Sequence, residues 1–278
     1  MSGNIETEGG DPLVRIENLR KRYVQRRPFS GSEYTVEALE NATLTISRGT
    51  TLALVGDSGS GKSTLARCLA LLEKPSVGEI WFNGRNLLEL KAREQFVVRS
   101  QIQLIFQDPV SSLNPRMTAQ EIVAEPLAIQ NNRTRKQQRE CAIDWIVRVG
   151  LPANCAGKRP MEFSGGQRQR LAIARALVLE PKLLILDEAL SNLDLANQEF
   201  IAQLLADLQT EHQLTYLHIS HDLRMVSQMA DEVAVMNDRR VIEQQPVAKL
   251  FSSPREDYTR ELLLALPSLE SICIDRSA

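Results

Sequence analysis

The run Gly56-Asp57-Ser58-Gly59-Ser60-Gly61-Lys62-Ser63-Thr64 is built to hold phosphate. It fits the P-loop pattern of Gly, four free positions, Gly, Lys and Ser or Thr. Glycines let backbone N–H groups approach phosphate oxygens with no Cβ in the way. A helix opening at this point directs its N-terminal N–H groups and dipole at the same anion. At this spacing Lys62 reaches the β- and γ-phosphates of a nucleotide, and the Ser63 hydroxyl is a ligand for Mg²⁺.

Two further stretches carry matching chemistry. Leu183-Leu184-Ile185-Leu186-Asp187-Glu188 is an apolar strand tipped by two carboxylates. Asp187 can hold Mg²⁺ as the partner of Ser63, and Glu188 is placed to polarise the water that attacks a γ-phosphate. Ser164-Gly165-Gly166-Gln167 precedes another helical run and forms a second anion cradle. One chain cannot easily fold both cradles onto one phosphate. A head-to-tail dimer, with each nucleotide between the P-loop of one subunit and the Ser-Gly-Gly of the other, is the economical arrangement.

These residues need strands and helices to place them. Thr51 to Val55 reads as a buried strand before the P-loop, and Leu65 to Leu72 as the apolar helix after it. Leu13 to Glu17, Ala42 to Ile46 and Gly78 to Asn83 alternate as the strands of an antiparallel layer. Tyr23 follows the first of them, and Arg26 to Glu33 reads as an exposed loop. Gln103 to Phe106 is a short strand ending at Gln107. From about Thr118 to Arg159 the helical patterns Ala119 to Ile129 and Arg135 to Val149 take over. The α/β pattern then returns: helix Leu171 to Leu179, strand Leu183 to Leu186, helix Gln198 to Thr210, strand Thr215 to Ile219, helix Leu223 to Ala230, strand Val233 to Met236. A polar turn and short helix cover Ser253 to Leu266. The expected fold is α/β: a P-loop NTPase core with a mainly parallel sheet, an N-terminal antiparallel β layer and an inserted α-helical subdomain at about 110–162. Residues 12–266 are expected to form this domain, with 1–11 disordered and 267–278 a loose tail.

The 278 residues are 43% apolar and 24% charged, ordinary for a globular protein. A net charge of −2 gives no general pull toward nucleic acid or an anionic membrane. No apolar run approaches the ~20 residues of a bilayer span, and the polar N-terminus is not a secretory signal. The four cysteines, Cys68, Cys141, Cys155 and Cys273, lack CxxC spacing and read as reduced thiols.

Gly56 to Thr64, Gln107, Ser164 to Gln167, Asp187-Glu188, Ser191 to Asp194 and His221 stand in the order shown by ABC-type ATPases, which the chain resembles from about Leu13 to Leu269. Phe106 to Thr118, Phe163 to Arg170 and Asp257-Tyr258-Thr259-Arg260-Glu261-Leu262-Leu263 resemble, more narrowly, the ATP-binding subunits of peptide, metal-chelate and nickel importers.

The resemblance implies ATP and Mg²⁺ as cofactors and a role for each matching position. Tyr23 would stack on adenine, and Gly56 to Thr64 would bind the phosphates. Gln107 would sense Mg²⁺ and the γ-phosphate and relay this to membrane subunits. Ser164, Gly165, Gly166 and Gln167 would close on the partner's ATP. Glu188 would be the general base, and His221 would hold the γ-phosphate and the attacking water. Asp194 would lie in the loop coupling the two sites. The implied partners are a second ATPase subunit, identical or homologous, two transmembrane permease subunits and, indirectly, a solute-binding protein. The implied place is the cytoplasmic face of the membrane.

Two departures matter. Ala189-Leu190-Ser191-Asn192 stands where the family more often reads Pro-Thr-Ser-Ala. This variant most resembles nickel-importer ATPases and weakens a claim for peptide, while leaving the acids in place. Some relatives carry a C-terminal cysteine cluster for an iron–sulfur centre; here Cys273 stands alone and no cluster is expected. A soluble ABC ATPase acting on nucleic acid is the alternative, but no tandem cassette, coiled-coil insertion or zinc cysteines are visible. A small-molecule P-loop kinase would share Gly56 to Ser63 without needing Ser164 to Gln167.

Overall fold

The computed structural model describes residues 11–26, 33–108, 112–131, 133–191 and 193–264. The disorder expected at the N-terminus, the tip of the loop after Arg26, Asn192, Cys273 and the C-terminal tail lie outside them, apart from Asp11.

The first layer is a four-stranded antiparallel sheet of β1 (Val14–Arg26), β2 (Glu33–Ile46), β4 (Val77–Phe82) and β5 (Arg85–Asn86), ordered β2-β1-β4-β5. The second is a six-stranded sheet, ordered β10-β9-β3-β8-β7-β6. Its strands are β3 (Thr51–Val55), β6 (Ile102–Ile105), β7 (Leu183–Asp187), β8 (Thr215–Ile219), β9 (Glu232–Asn237) and β10 (Arg240–Pro246). All of its neighbours run parallel except β10, which pairs antiparallel with β9.

The helices are α1 (Lys62–Leu69), α2 (Ala92–Gln101), α3 (Ala119–Gln130), α4 (Arg135–Arg148), α5 (Gly165–Leu177), α6 (Leu195–His212), α7 (Leu223–Met229), α8 (Val247–Ser252) and α9 (Asp257–Leu264). Among the described residues no helix is long and apolar enough to cross a membrane.

The parallel strands read as apolar runs because both faces are covered. Alternate residues of β7 go to opposite cores: Leu183 and Ile185 join the cluster against the antiparallel layer, Leu184 and Leu186 the cluster beneath α3 to α6. Trp145 and Ile146 of α4 and Leu171 and Ile173 of α5 pack into that second cluster, so the helical insertion is welded to the sheet. A third cluster joins Ala53 and Val55 of β3 to Leu223, Val226, Leu250 and Leu263.

Several expectations are corrected. β1 continues for thirteen residues, and β2 begins at Glu33. Tyr23 therefore lies inside β1, paired with Val36, rather than after it. The long hairpin has bulges between Ile16 and Arg22, which hid its period-two pattern. α5 starts at Gly165, six residues before the apolar run that marks it in sequence, because its first turns are polar. α2, β5, β10 and α8 have no counterpart in the sequence reading; α2 buries Val98 alone among its ten residues and shows no apolar stripe.

Candidate active site

Parallel pairing in register brings the motifs together. Leu54 pairs with Ile219, Ile219 with Asp187, and Ile105 with Leu186. The carboxyl ends of β3, β8, β7 and β6 thus share one edge, where open α/β sheets bind ligands. From that edge emerge the P-loop, Ser220-His221, Asp187-Glu188 and Phe106-Gln107.

Two P-loop glycines are forced by contact. Gly56 has φ +141°, and a Cβ there would stand 2.0 Å from the Met236 carbonyl oxygen of β9. Gly61 has φ +106°, and its Cβ would lie 2.6 Å from the Ala38 carbonyl oxygen. As the N-cap of α1, Gly61 supplies no capping side chain, and the first turn carries no acidic residue. The helix therefore opens on uncapped N–H groups, suited to an anion.

Lys62 is 6% exposed. Its Nζ donates to the carbonyls of Gly56 and Asp57, both at 2.8 Å. Burial pushes its ammonium down from the ordinary lysine value, against the pull of Glu188, Asp187 and Asp57. Ser63 Oγ donates to Asp187 Oδ1 at 2.9 Å. Burial pushes the Asp187 carboxyl up, and the Ser63 hydrogen bond opposes this. The pair is a hard-oxygen donor set of the kind Mg²⁺ prefers.

Glu188 turns the chain sharply, with φ +50°. A non-glycine residue in this region is uncommon and is held by its surroundings. Its N–H donates to the Ile219 carbonyl at 3.0 Å, and its carbonyl accepts from Ser191 Oγ at 2.9 Å. The side chain meets the motifs of two other strands: Gln107 Nε2 donates to Glu188 Oε2 at 2.8 Å, and His221 Nδ1 lies 3.8 Å from the same oxygen. A cavity of about 350 Å³ adjoins them, lined by Gly56, Asp57, Ser58, Glu188, His221 and Leu262, among others. A carboxylate flanked by an amide and an imidazole at the rim of a phosphate cradle can hold a water and take its proton.

Tyr23 also reaches the cradle: its hydroxyl donates to Glu73 and contacts Thr64, and the Lys21 ammonium stands 4.9 Å from its ring centroid. Burial and Glu73 push the phenol up from its ordinary value.

Ser164 to Gln167 are not brought to this cluster. Among the described residues no hydrogen bond or ion pair joins them to the P-loop. Ser164 Oγ accepts from Gln167 N–H at 3.3 Å, and Gln167 Oε1 accepts from Ser164 N–H at 3.0 Å, a capping box on α5. Asp194 sits with this second group. It caps α6 by accepting from Asn197 N–H at 3.0 Å, and its other oxygen accepts from Asn197 Nδ2 at 2.7 Å. Asn197 in turn lies where a Cβ on Gly166 would go, 2.5 Å from its Oδ1, and accepts from Arg170 at 3.3 Å. Sequence reasoning missed Asn197; its place three residues after a capping Asp is the signal that could have marked it.

A pattern shared by ABC transporters matches residues 39–191, spanning the P-loop, Gln107, the Ser-Gly-Gly turn and the Asp-Glu pair.

The chain belongs to the ABC transporter family.

The cassette is 42% identical to the dipeptide transport ATP-binding protein DppF of Escherichia coli, over 93% of this chain and 77% of that protein. It is 42% identical to the oligopeptide transport ATP-binding protein OppF of the same organism, over 95% and 80%. In three dimensions it is similar to the dimeric post-hydrolysis state of the ATP-binding cassette MJ0796 bound to ADP and Pi. The TM-score there is 0.75 at 29% identity, over 84% of this chain and 99% of that one. It is equally similar to cbiO1 of Clostridium perfringens, part of the cbiONQ ABC transporter complex, at TM-score 0.75 and 30% identity over 93% and 97%. The cassette is an ATP-binding ATPase.

Proposed function

We propose that this cassette is the ATP-hydrolysing subunit of a membrane importer for peptides. The observation that carries the reading is the junction of Glu188, Gln107 and His221 beside the P-loop, in a chain over 40% identical to cassettes named for dipeptide and oligopeptide transport.

In this reading residues 12–266 form one ATPase domain, with the helical subdomain inserted at about 110–162. Adenine stacks on Tyr23. The phosphates lie along Gly56 to Thr64, and Lys62 leaves the Gly56 and Asp57 carbonyls for the β- and γ-phosphates, a stronger charge-assisted contact. Ser63 and Asp187 would hold Mg²⁺, with Gln107 close by, and the ion would supply positive charge to the phosphates. Glu188 takes the proton of the attacking water, and His221 orients that water against the γ-phosphate. Ser164 to Gln167 close on the nucleotide of a second cassette, with Asp194 at the same interface.

Closure of the cassette pair turns two permease subunits, and hydrolysis resets them. A groove of about 390 Å³ beside Gln107, lined by Phe96, Gln103, Phe106, Ile129 and Arg175, suits the docking of a permease helix, since Phe96, Phe106 and Ile129 are 42%, 40% and 61% exposed. The cassette then sits on the cytoplasmic face of the membrane, and a solute-binding protein delivers cargo from the other side.

The test is purification of the intact membrane complex and measurement of its ATPase activity in proteoliposomes with its binding protein. Dipeptides and oligopeptides are expected to stimulate hydrolysis. Stimulation by nickel or a nickel chelate and not by peptides, the outcome that the Ala189-to-Asn192 segment favours, would overturn the peptide assignment.

A further inference from the structure

The segment Asp257 to Leu263 has the pattern of importer cassettes, yet the catalytic scheme leaves it unused. Its helix α9 is anchored on one side by Glu243, a carboxylate 6% exposed. Glu243 accepts from Arg255 N–H at 2.8 Å, Glu256 N–H at 3.3 Å, Thr259 Oγ1 at 2.7 Å and Gln245 Nε2 at 2.8 Å. Leu263 is buried in the cluster of Val55, Leu223 and Val226, with Tyr258 and Leu262 packed against it. A satisfied buried carboxylate and an apolar footing give α9 one pose.

Toward the nucleotide site, α9 presents two residues. Leu262 lines the cavity that also contains Glu188 and His221. Tyr258 Oη accepts from the backbone N–H of Asp57 at 3.1 Å. The residue Asp57 is thus gripped at both backbone groups: its N–H by Tyr258, and its carbonyl by Lys62 and, within the loop itself, by the Ser60 N–H at 3.2 Å. The Tyr258 and Lys62 grips respond differently to ATP. The Lys62 ammonium is drawn to phosphate and releases the carbonyl. Tyr258 is neutral and rides on a separately anchored helix, so phosphate does not draw it from Asp57.

We propose that Tyr258 is a positioning residue of the ATPase site, holding the Asp57 end of the P-loop in its open shape once Lys62 has turned to the phosphates. The loop then meets ATP already ordered, and less of the binding free energy is lost in arranging it. The inference rests on the P-loop being the ATP site.

The test titrates ATP calorimetrically into the full-length chain as wild type, Tyr258→Phe and Lys62→Ala. Tyr258→Phe keeps the ring in its cluster and deletes the hydroxyl, and with it the acceptor for the Asp57 N–H and the hydrogen bond to the Asp57 side chain. It is expected to raise the ATP Kd about threefold or more, the cost of ordering the freed loop on binding, for which one net hydrogen bond is the upper bound. Hydrogen exchange should quicken at the peptide carrying Asp57 and not along α9, with the nucleotide-free melting temperature within about 4 °C of wild type. A Kd within about twofold of wild type overturns the proposal. So does a Kd rise with faster exchange throughout α9, which marks loss of the helix rather than of the bond. A wild-type chain that does not bind ATP, or Lys62→Ala binding it as well as wild type, would instead sink the reading of the P-loop.

Discussion

Two helices of this cassette begin on glycine-rich turns, and they are finished in different ways. The N-terminus of α1 has no side-chain cap, but its surroundings come from its own chain: Lys62, Asp187, Glu188, Gln107 and His221 arrive from four strand ends and contact the loop or one another. The N-terminus of α5 is capped by its own Ser164 and Gln167, and the space a Cβ would occupy at Gly165 is open. Of the five buried side-chain polar atoms without a partner among the described residues, three belong to consecutive residues just inside α5: Arg168, Gln169 and Arg170. Native interiors leave few such atoms, so their clustering sets this region apart. One turn is a site nearly complete within the chain. The other meets no ligand-binding group of its own chain among the described residues, as the proposed pairing of two cassettes would require.

The largest effects test the complete half. Glu188→Gln should retain ATP binding while hydrolysis falls at least ~10²-fold, as expected on losing a positioned base; unchanged turnover would remove Glu188 from the chemistry. Lys62→Ala should lose both binding and hydrolysis in the same assays.

The incomplete half is tested next. Gly165→Arg puts bulk into open space, so the isolated chain should melt and bind ATP as wild type does. In the intact complex its hydrolysis should fall by ~10²-fold, the scale of losing pre-placed transition-state contacts. A weaker ATP Kd in the isolated chain would mean that α5 serves its own P-loop, and the contrast would fail.

Gly166→Ala, one residue further on, faces inward at Asn197, which is held by Asp194 and Arg170. Overpacking there should cost about 2 kcal/mol of stability, measured by denaturant unfolding. The two neighbours should therefore separate function from stability.

The smallest effect belongs to the sheet beneath the P-loop. His218, to which no chemistry is assigned, is buried in β8, and burial pushes its imidazole down to about 4 from 6.5. The folded chain keeps it neutral, whereas the unfolded chain takes up a proton first as pH falls. Stability is therefore full above about 6.5 and is lost from there toward 4. Between pH 7 and 5 the loss should be roughly 1–2 kcal/mol. His218→Leu should flatten that slope in melting curves at the two pH values; equal slopes would show that other groups set it.

The core strands were legible from composition, since only strands covered on both faces run as apolar as Leu183 to Leu186. The edges of the fold were not. β1 and β2 reach far beyond their readable ends because the hairpin is bulged and half exposed, and α2 was silent because it buries so little. Among site residues, the P-loop and Asp187-Glu188 announce themselves by local pattern. Local pattern marks Tyr258 and Asn197, but not the contacts they make, with Asp57 201 residues away and with Gly166 31 residues away.

What the chain order alone determined is which groups are available: a lysine and two hydroxyls after glycines, paired acids at a strand tip, a second glycine turn. Their types follow from local chemistry, and that is written in neighbouring residues. What the tertiary structure decided is which groups meet. Parallel pairing in register set Gln107, Glu188 and His221 side by side, and kept Ser164 to Gln167 apart from them. Strand order is a long-range choice made by burial on both faces of a sheet, and no short stretch of sequence contains it.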